Sequence, residues 1–141
     1  MKDFILKYLF RINTHLPGHS VMKKFKAQFP NATNIEWSKE KDEVVEAIFR
    51  VNGIEQIAWF SKSGKWIKTE TNYKLEMLSG AIRSKLETFG QIMSSIFIET
   101  ADQSSGYEFI IRDSWQVRHL FITDKEGNVL DRRNFDEAEL Y

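Results

Sequence analysis

The sequence contains no cysteine and only three histidines, and its twenty basic residues are balanced by twenty acidic ones. Without cysteine the chain can form neither a disulfide nor a thiolate metal site. A formal net charge of zero gives no overall field that would attract nucleic acid or an anionic membrane. The sequence also lacks a phosphate-binding glycine loop and a serine nucleophile motif. We therefore expect no metal, no cofactor and no nucleic-acid partner.

The chain is rich in material for a packed core. Hydrophobic residues occupy 42% of its 141 positions, and the aromatic residues include eleven phenylalanines and four tryptophans. Each buried aromatic side chain removes a large area from water, which helps to stabilise small sheets. The length fits one domain or two small fused domains.

Two stretches of the chain follow the same plan. Aromatic residues recur sixty positions apart, and a turn glycine recurs sixty-three positions apart. The pairs are Phe29 and Phe89, Phe49 and Phe109, and Gly64 and Gly127. This spacing predicts an α+β fold made of two tandem repeats, each a helix followed by an antiparallel meander. We expect a first repeat at 20–74, a second at 75–133, an N-terminal helix with linker at 1–19 and an acidic tail at 134–141.

The first repeat is expected to open with a helix capped by Ser20 and ended by Pro30. Short strands are expected at 35–37, 43–51, 54–60 and 65–71. The dipeptide Asn52-Gly53 predicts a tight hairpin turn between the second and third strands, because both residues tolerate positive φ. Alternation predicts a set of side chains that face the helix, namely Val45, Ala47, Phe49, Val51, Ile57 and Trp59.

The second repeat is expected to open with one longer helix that ends near Gly90. Its apolar positions are Leu75, Leu78, Ile82, Leu86 and Phe89. Strands are expected at 92–100, 107–112, 115–123 and 128–133. The side chains expected to face inward are Tyr107, Phe109, Ile111, Leu120 and Ile122.

The first sixteen residues predict an amphipathic helix outside the repeats. Its apolar stripe consists of Phe4, Ile5, Tyr8, Leu9, Ile12 and Leu16, and Pro17 ends it. Lys7 interrupts the apolar run, so we recognise no signal peptide. The helix is expected to cover apolar surface of its own domain or of a second copy. A membrane-surface role is disfavoured, because such helices usually carry a richer basic face than this segment does.

Several short motifs together resemble the PepSY-like proteins, whose fold is likened to that of beta-lactamase-inhibitor protein (BLIP). The segments that carry this resemblance are 25–30, 35–37, 46–49 and 64–66 followed by 69–70, with weaker matches at 107–109 and 124–127. The resemblance implies a small bacterial protein of a kind that is commonly exported and frequent in Bacteroidetes. It implies no catalytic residues, and it suggests a binding or inhibitory module that uses its sheet surface. The location is left open by the lack of a recognisable signal peptide.

Large apolar side chains are expected on the sheet face opposite the helices, where a fully solvated face would be more polar. The candidate partner-binding residues are Trp66, Phe121, Ile48, Ile110, Phe60 and Val117. A contiguous exposed patch of this kind marks a partner surface. The alternative is that the N-terminal helix, or the other half of the molecule, covers the patch.

Three functions from different classes follow from these observations. A protein- or peptide-binding module requires only the sheet and an exposed patch. A carrier of a small apolar ligand requires a pocket between the sheet and the N-terminal helix. An enzyme is the weakest hypothesis, because its best candidate, His119, is a lone histidine expected on a strand face away from the core and would need a carboxylate nearby.

Overall fold

A computed structural model describes residues 16–135 of the chain. These residues form one antiparallel sheet of eight strands in simple sequence order. The N-terminal amphipathic helix and the acidic tail that the sequence predicts lie outside the described residues, apart from the ends of these segments. The α+β fold class is confirmed by this sheet and the two helices that pack on it.

Each half of the described chain supplies one helix and four strands. The first half contains α1 (His19–Gln28), β1 (Thr33–Lys39), β2 (Val44–Val51), β3 (Ile54–Ser61) and β4 (Trp66–Tyr73). The second half contains α2 (Gly80–Glu87), β5 (Gln91–Thr100), β6 (Ser105–Arg112), β7 (Arg118–Asp124) and β8 (Val129–Asn134). Pairing of β4 with β5 joins the two halves into a continuous sheet.

Both helices pack on the same face of the sheet, which we call the helical face. Below α1 the buried cluster consists of Val21, Phe25, Trp37, Val45, Ala47, Phe49, Ala58 and Phe60. Below α2 it consists of Leu78, Ile82, Leu86, Ile92, Tyr107, Phe109, Ile111 and Phe121. Edge-to-face and tilted ring contacts, such as Phe25 against Phe49 at 5.0 Å between centroids, order the first cluster.

The Asn52-Gly53 turn confirms its sequence prediction. Both residues have positive φ, 52° at Asn52 and 78° at Gly53. This conformation closes a two-residue hairpin with the twist that the flanking strands need. The turn fixes the register of β2 and β3, so that Ala47 lies opposite Ala58.

The predicted faces of β3 and β7 are wrong by one residue. Ala58 and Phe60 point to the helical face, whereas Ile57 and Trp59 point away from it. In β7, Phe121 pairs with Phe109 in the core, so Leu120 and Ile122 lie on the opposite face. Both strands carry apolar side chains on both faces, and alternation then cannot choose between the faces.

Trp66 also lies on the helical face, where it packs against the first cluster. A register shift between Trp59 and Phe60 places Phe60 opposite Trp66. The indole Nε1 donates a hydrogen bond to Thr69 Oγ1 at 2.9 Å. The expectation that Trp66 shares a face with Lys68 and Glu70 is therefore wrong, because a bulge shifts the alternation by one residue.

The second helix is shorter than the sequence predicts. A single 3-10 turn (Leu75–Met77) precedes it, and extended backbone at Leu78 and Ser79 separates the two. The Ser79 side chain accepts a hydrogen bond from the backbone N–H of Ile82 at 3.2 Å. This N-cap defines the start of α2 at Gly80, because it satisfies a backbone donor that the first helical turn leaves open.

Candidate functional site

The candidate site is the sheet face opposite the helices, which we call the distal face. Its centre is a buried apolar cluster formed by Ile48, Ile57, Trp59 and Ile96, the inner zone. Val44, Ile67 and Ile98 pack around this zone and are half-buried. The inner zone draws residues from both halves of the chain, because β4 and β5 pair across the centre of the sheet.

Charged side chains surround the inner zone. Lys68 Nζ lies 4.4 Å from the centroid of the Trp59 ring and donates a hydrogen bond to Glu70 Oε2 at 3.2 Å. Glu46 is only 3% exposed and accepts a hydrogen bond from Ser38 Oγ at 2.6 Å. A carboxylate is costly to bury without polar partners, and Ser38 supplies one of them to Glu46.

Further pairs extend this polar border along β2, β3 and β4. Arg50 lies 3.6 Å from Glu55 between charged atoms, and Asn72 donates to the same carboxylate at 2.7 Å. These contacts fix side-chain positions around the apolar centre rather than adding much stability, since exposed ion pairs contribute little.

A second, more open region lies on the distal face towards β8. A shallow groove of about 220 Å³ is lined there by Ile98, Glu108, Ile122 and Leu130, and we call it the outer groove. Leu130 is 68% exposed. Leu130 thus presents an apolar side chain at the surface, beside the half-buried Ile98 and Ile122.

The six partner-binding candidates lie in three different environments. Ile48 and Ile110 are on the distal face as predicted, although both are buried. Phe60 and Phe121 are fully buried in the core of the helical face, so they cannot be surface anchors. Val117 lies in the turn between β6 and β7, where 42% of it is exposed. The structure therefore does not bring Phe60, Phe121 and Trp66 together with the distal-face residues.

The residues missed from sequence are Ile57, Trp59, Ile96 and Ile98. The signal was present, because β3 shows a run of four apolar residues with no polar residue between them. Such a run is typical of a strand buried on both faces. The run therefore indicates that β3 is covered by apolar side chains on both faces of the sheet.

His119 lies on the helical face and is buried, contrary to the expected position away from the core. Its Nε2 lies 2.8 Å from Asp113 Oδ2. The other Asp113 oxygen accepts hydrogen bonds from the backbone N–H groups of Trp115 and Val117. The contact with His119, followed by these backbone bonds, lowers the Asp113 pKa. The pair thus clamps the β6–β7 turn, and the carboxylate is already engaged in holding the backbone.

Aspartates also organise the two neighbouring turns of the second half, with Asp124 at the first position of its turn and Asp102 two residues after the first position of its own. Hydrogen bonds from the Thr100 side chain and from Ser104 lower the pKa of Asp102 to about 2 in the β5–β6 turn. Asn128 donates to Asp124 from its side chain and its backbone in the β7–β8 turn, which lowers the Asp124 pKa. These carboxylates organise turns in the way that aspartate side chains commonly do.

Residues 16–135 lack two other features that would indicate a function. Among residues 16–135, no group of three or more metal-ligating side chains is close enough to hold an ion. Within the same residues, no helix is both long enough and apolar enough to cross a membrane.

Solved structures from Bacteroides share this fold. A DUF2874 family protein from Bacteroides ovatus matches with a TM-score of 0.74 and 21% identity, over 85% of this chain and 89% of that one. A proposed periplasmic protein from Bacteroides eggerthii matches with a TM-score of 0.73 and 21% identity, over 85% and 90%. A BLIP-like protein from Bacteroides fragilis matches with a TM-score of 0.71 and 18% identity, over 87% and 92%.

No family model and no curated protein matches the sequence. The structural matches confirm a BLIP-like fold, and at these identities they speak for the fold alone.

Proposed function

We propose that this chain is a non-enzymatic binding module that grips a protein or peptide partner through its distal face. The observation that supports this proposal is the outer groove, where Leu130 stands exposed beside Ile98 and Ile122. Apolar anchors in a shallow groove that polar side chains surround, here Glu108 and several hydroxyl residues, are typical of peptide and protein contacts. The BLIP-like fold is consistent with this use of a sheet surface, although fold likeness alone is weak support.

We also infer that the two halves are copies of one PepSY-like unit. Each half has a helix followed by four antiparallel strands, and Phe49 and Phe109 occupy corresponding central positions in the two cores. In this interpretation the duplication doubled the sheet and produced a distal face wide enough for an extended partner. Separate expression of 20–74 and 75–133 tests whether each unit folds by itself.

An exported location is our proposal for where this binding takes place. It rests on the resemblance to PepSY-like proteins and on the likeness to the proposed periplasmic protein from Bacteroides eggerthii. Cell fractionation with an antibody to the chain tests it, and recovery only with cytosolic markers would contradict it.

The partner-binding proposal can be tested with a displayed library of random peptides, because no natural partner has to be known. Peptides selected on the full chain should bind with micromolar or tighter affinity. The variant Leu130→Asp should weaken their binding at least about tenfold, because it places a charge in an apolar groove. Trp115→Asp is the matched control, since Trp115 is 85% exposed but lies in the β6–β7 turn.

Two results would contradict the proposal. One is a selection that yields no binding peptide from several libraries. The other is binding that survives Leu130→Asp but is lost in Trp115→Asp, since that result would move the contact surface away from the distal face. Circular dichroism of both variants establishes that the sheet is intact.

The ligand-carrier hypothesis depends on a pocket beside the N-terminal segment, most of which lies outside the described residues. The outer groove, at about 220 Å³, is smaller than the roughly 300–1,000 Å³ of typical small-molecule sites, whereas an open groove between the start of α1 and the β3–β4 turn, lined by Ser20, Lys24 and Trp66, has about 1000 Å³. Native mass spectrometry of the purified chain tests this hypothesis, which predicts a retained small molecule.

A further inference from the structure

The inner zone is more deeply buried than strands alone explain. Ile57 is 0% exposed and Ile96 is 2% exposed, although both point away from the two helices. Neighbouring strands shield the flanks of a side chain but leave its tip open, because side chains stand roughly perpendicular to the sheet. Neither helix of residues 16–135 lies over this zone, so its cover comes from elsewhere.

The start of the described chain lies at the correct end of the sheet to supply that cover. A Cβ placed on Gly64, in the β3–β4 turn, would lie 3.0 Å from the backbone oxygen of Ser20. The beginning of α1 therefore rests against this turn, and the preceding residues emerge beside it. Val44 and Ile67, at the border of the inner zone, lie at the same end, since Val44 pairs with Ser61.

The N-terminal segment has the side chains and the length to fill the zone. Its predicted apolar stripe runs through Phe4, Ile5, Tyr8, Leu9 and Ile12. Fifteen helical residues span roughly 22 Å at 1.5 Å per residue. The four strands β2 to β5 span roughly 14 Å at about 4.8 Å per strand spacing. One such helix can therefore lie across the whole inner zone.

Charge favours the same arrangement. Four carboxylates and two cations border the inner zone, namely Glu36, Glu46, Glu55, Glu70, Arg50 and Lys68. The N-terminal segment carries the opposite balance, with Lys2, Lys7 and Arg11 against Asp3. A cationic segment is attracted to an acidic border, and this attraction orients the segment as well as holding it.

We propose that residues 1–15 of this same chain dock on the inner zone as an intramolecular cover, with their apolar stripe facing the sheet. The described residue Leu16 is 79% exposed, so it does not belong to the docked stripe that we propose, which runs from Phe4 to Ile12. This inference does not depend on the proposed partner function. If both hold, the partner surface is confined to the outer groove unless the segment is displaced.

The absence of cysteine makes a direct test possible, because one introduced cysteine can carry a nitroxide spin label. In the full chain with Lys7→Cys labelled, the amide NMR signals of Ile48, Ile57 and Ile96 should lose most of their intensity. Signals of α1 and α2 on the other face should lose far less. Adding Leu9→Asp to the labelled chain should restore the lost intensity, because a charge in the stripe prevents docking.

The control is a label at Lys125→Cys, in the exposed β7–β8 turn, which should leave the inner zone unaffected. Contacts between molecules are detected in a mixture of two samples, one isotope-labelled without a nitroxide and the other spin-labelled at Lys7→Cys without isotope. If the inner-zone signals lose intensity in this mixture, a second copy of the chain supplies the cover, and the intramolecular proposal is overturned. Unchanged inner-zone signals in the Lys7→Cys chain, or a loss that Leu9→Asp does not relieve, would overturn it.

Discussion

The register of β7 makes an energetic prediction that can be measured with two adjacent residues. Phe121 is fully buried, with its ring centroid 4.8 Å from that of Phe89 and Arg132 lying 4.8 Å above the ring. Truncation to alanine should cost about 3–5 kcal/mol, because it removes buried area and leaves a cavity. Leu120→Ala, on the distal face and half-buried, should cost about 1 kcal/mol.

Urea unfolding followed by tryptophan fluorescence measures both changes. With an m-value of about 2 kcal/mol/M, Phe121→Ala should lower the midpoint by roughly 2 M and Leu120→Ala by roughly 0.5 M. A domain stable by about 5–15 kcal/mol tolerates the second change easily and the first only in part. If Leu120→Ala costs as much as Phe121→Ala or more, the alternation read from sequence is correct and the register described above is refuted.

Three further changes test separate features of the fold. Gly106→Ala should destabilise the chain by about 1–3 kcal/mol or more, because the new Cβ would lie 2.2 Å from the Thr123 backbone oxygen. Gly80→Ala is the control, since a Cβ there meets open space, and thermal unfolding compares the two variants. Ser79→Ala should cost about 1 kcal/mol by removing the α2 N-cap, as measured by urea unfolding. Asp102 should hold its turn at neutral pH and release it as pH falls from the ordinary carboxyl range through about 2, because its folded pKa is lowered. NMR titration of that turn should show this step, and Asp102→Asn should abolish it.

Local signals in the sequence were enough to locate most of the elements. Helix α1 follows from apolar residues four positions apart, and the β2–β3 hairpin follows from a dipeptide that tolerates positive φ. The break before α2 was missed because Leu75 and Leu78 continue the helical spacing of Ile82. A serine cap overrides that spacing, since it satisfies a backbone donor where the chain is already extended.

The distal face could not be read from sequence for a different reason. Its side chains were assigned by alternation, which works only where one face is polar. In β3 both faces are apolar, so alternation does not decide which side chains face the helices. In β4 a register shift between Lys68 and Trp66 then places Trp66 on the helical face. Pairing between β4 and β5, which brings Ile96 next to the first-half residues, is a long-range contact that no local pattern encodes. The sequence therefore predicts an apolar face opposite the helices, but three of the six proposed anchors, Phe60, Trp66 and Phe121, lie on the helical face instead.

The sheet carries apolar side chains on both faces, but the two faces are organised differently. The helical face is divided into two cores, one under each helix, whereas the inner zone is single and draws on both halves. Whatever occupies the inner zone therefore contacts Ile57 of the first half and Ile96 of the second at once. An occupant that binds there stabilises the β4–β5 junction by mass action, because it binds only the joined sheet. The distal face is thus the place where a single occupant can hold the two halves of the sheet together.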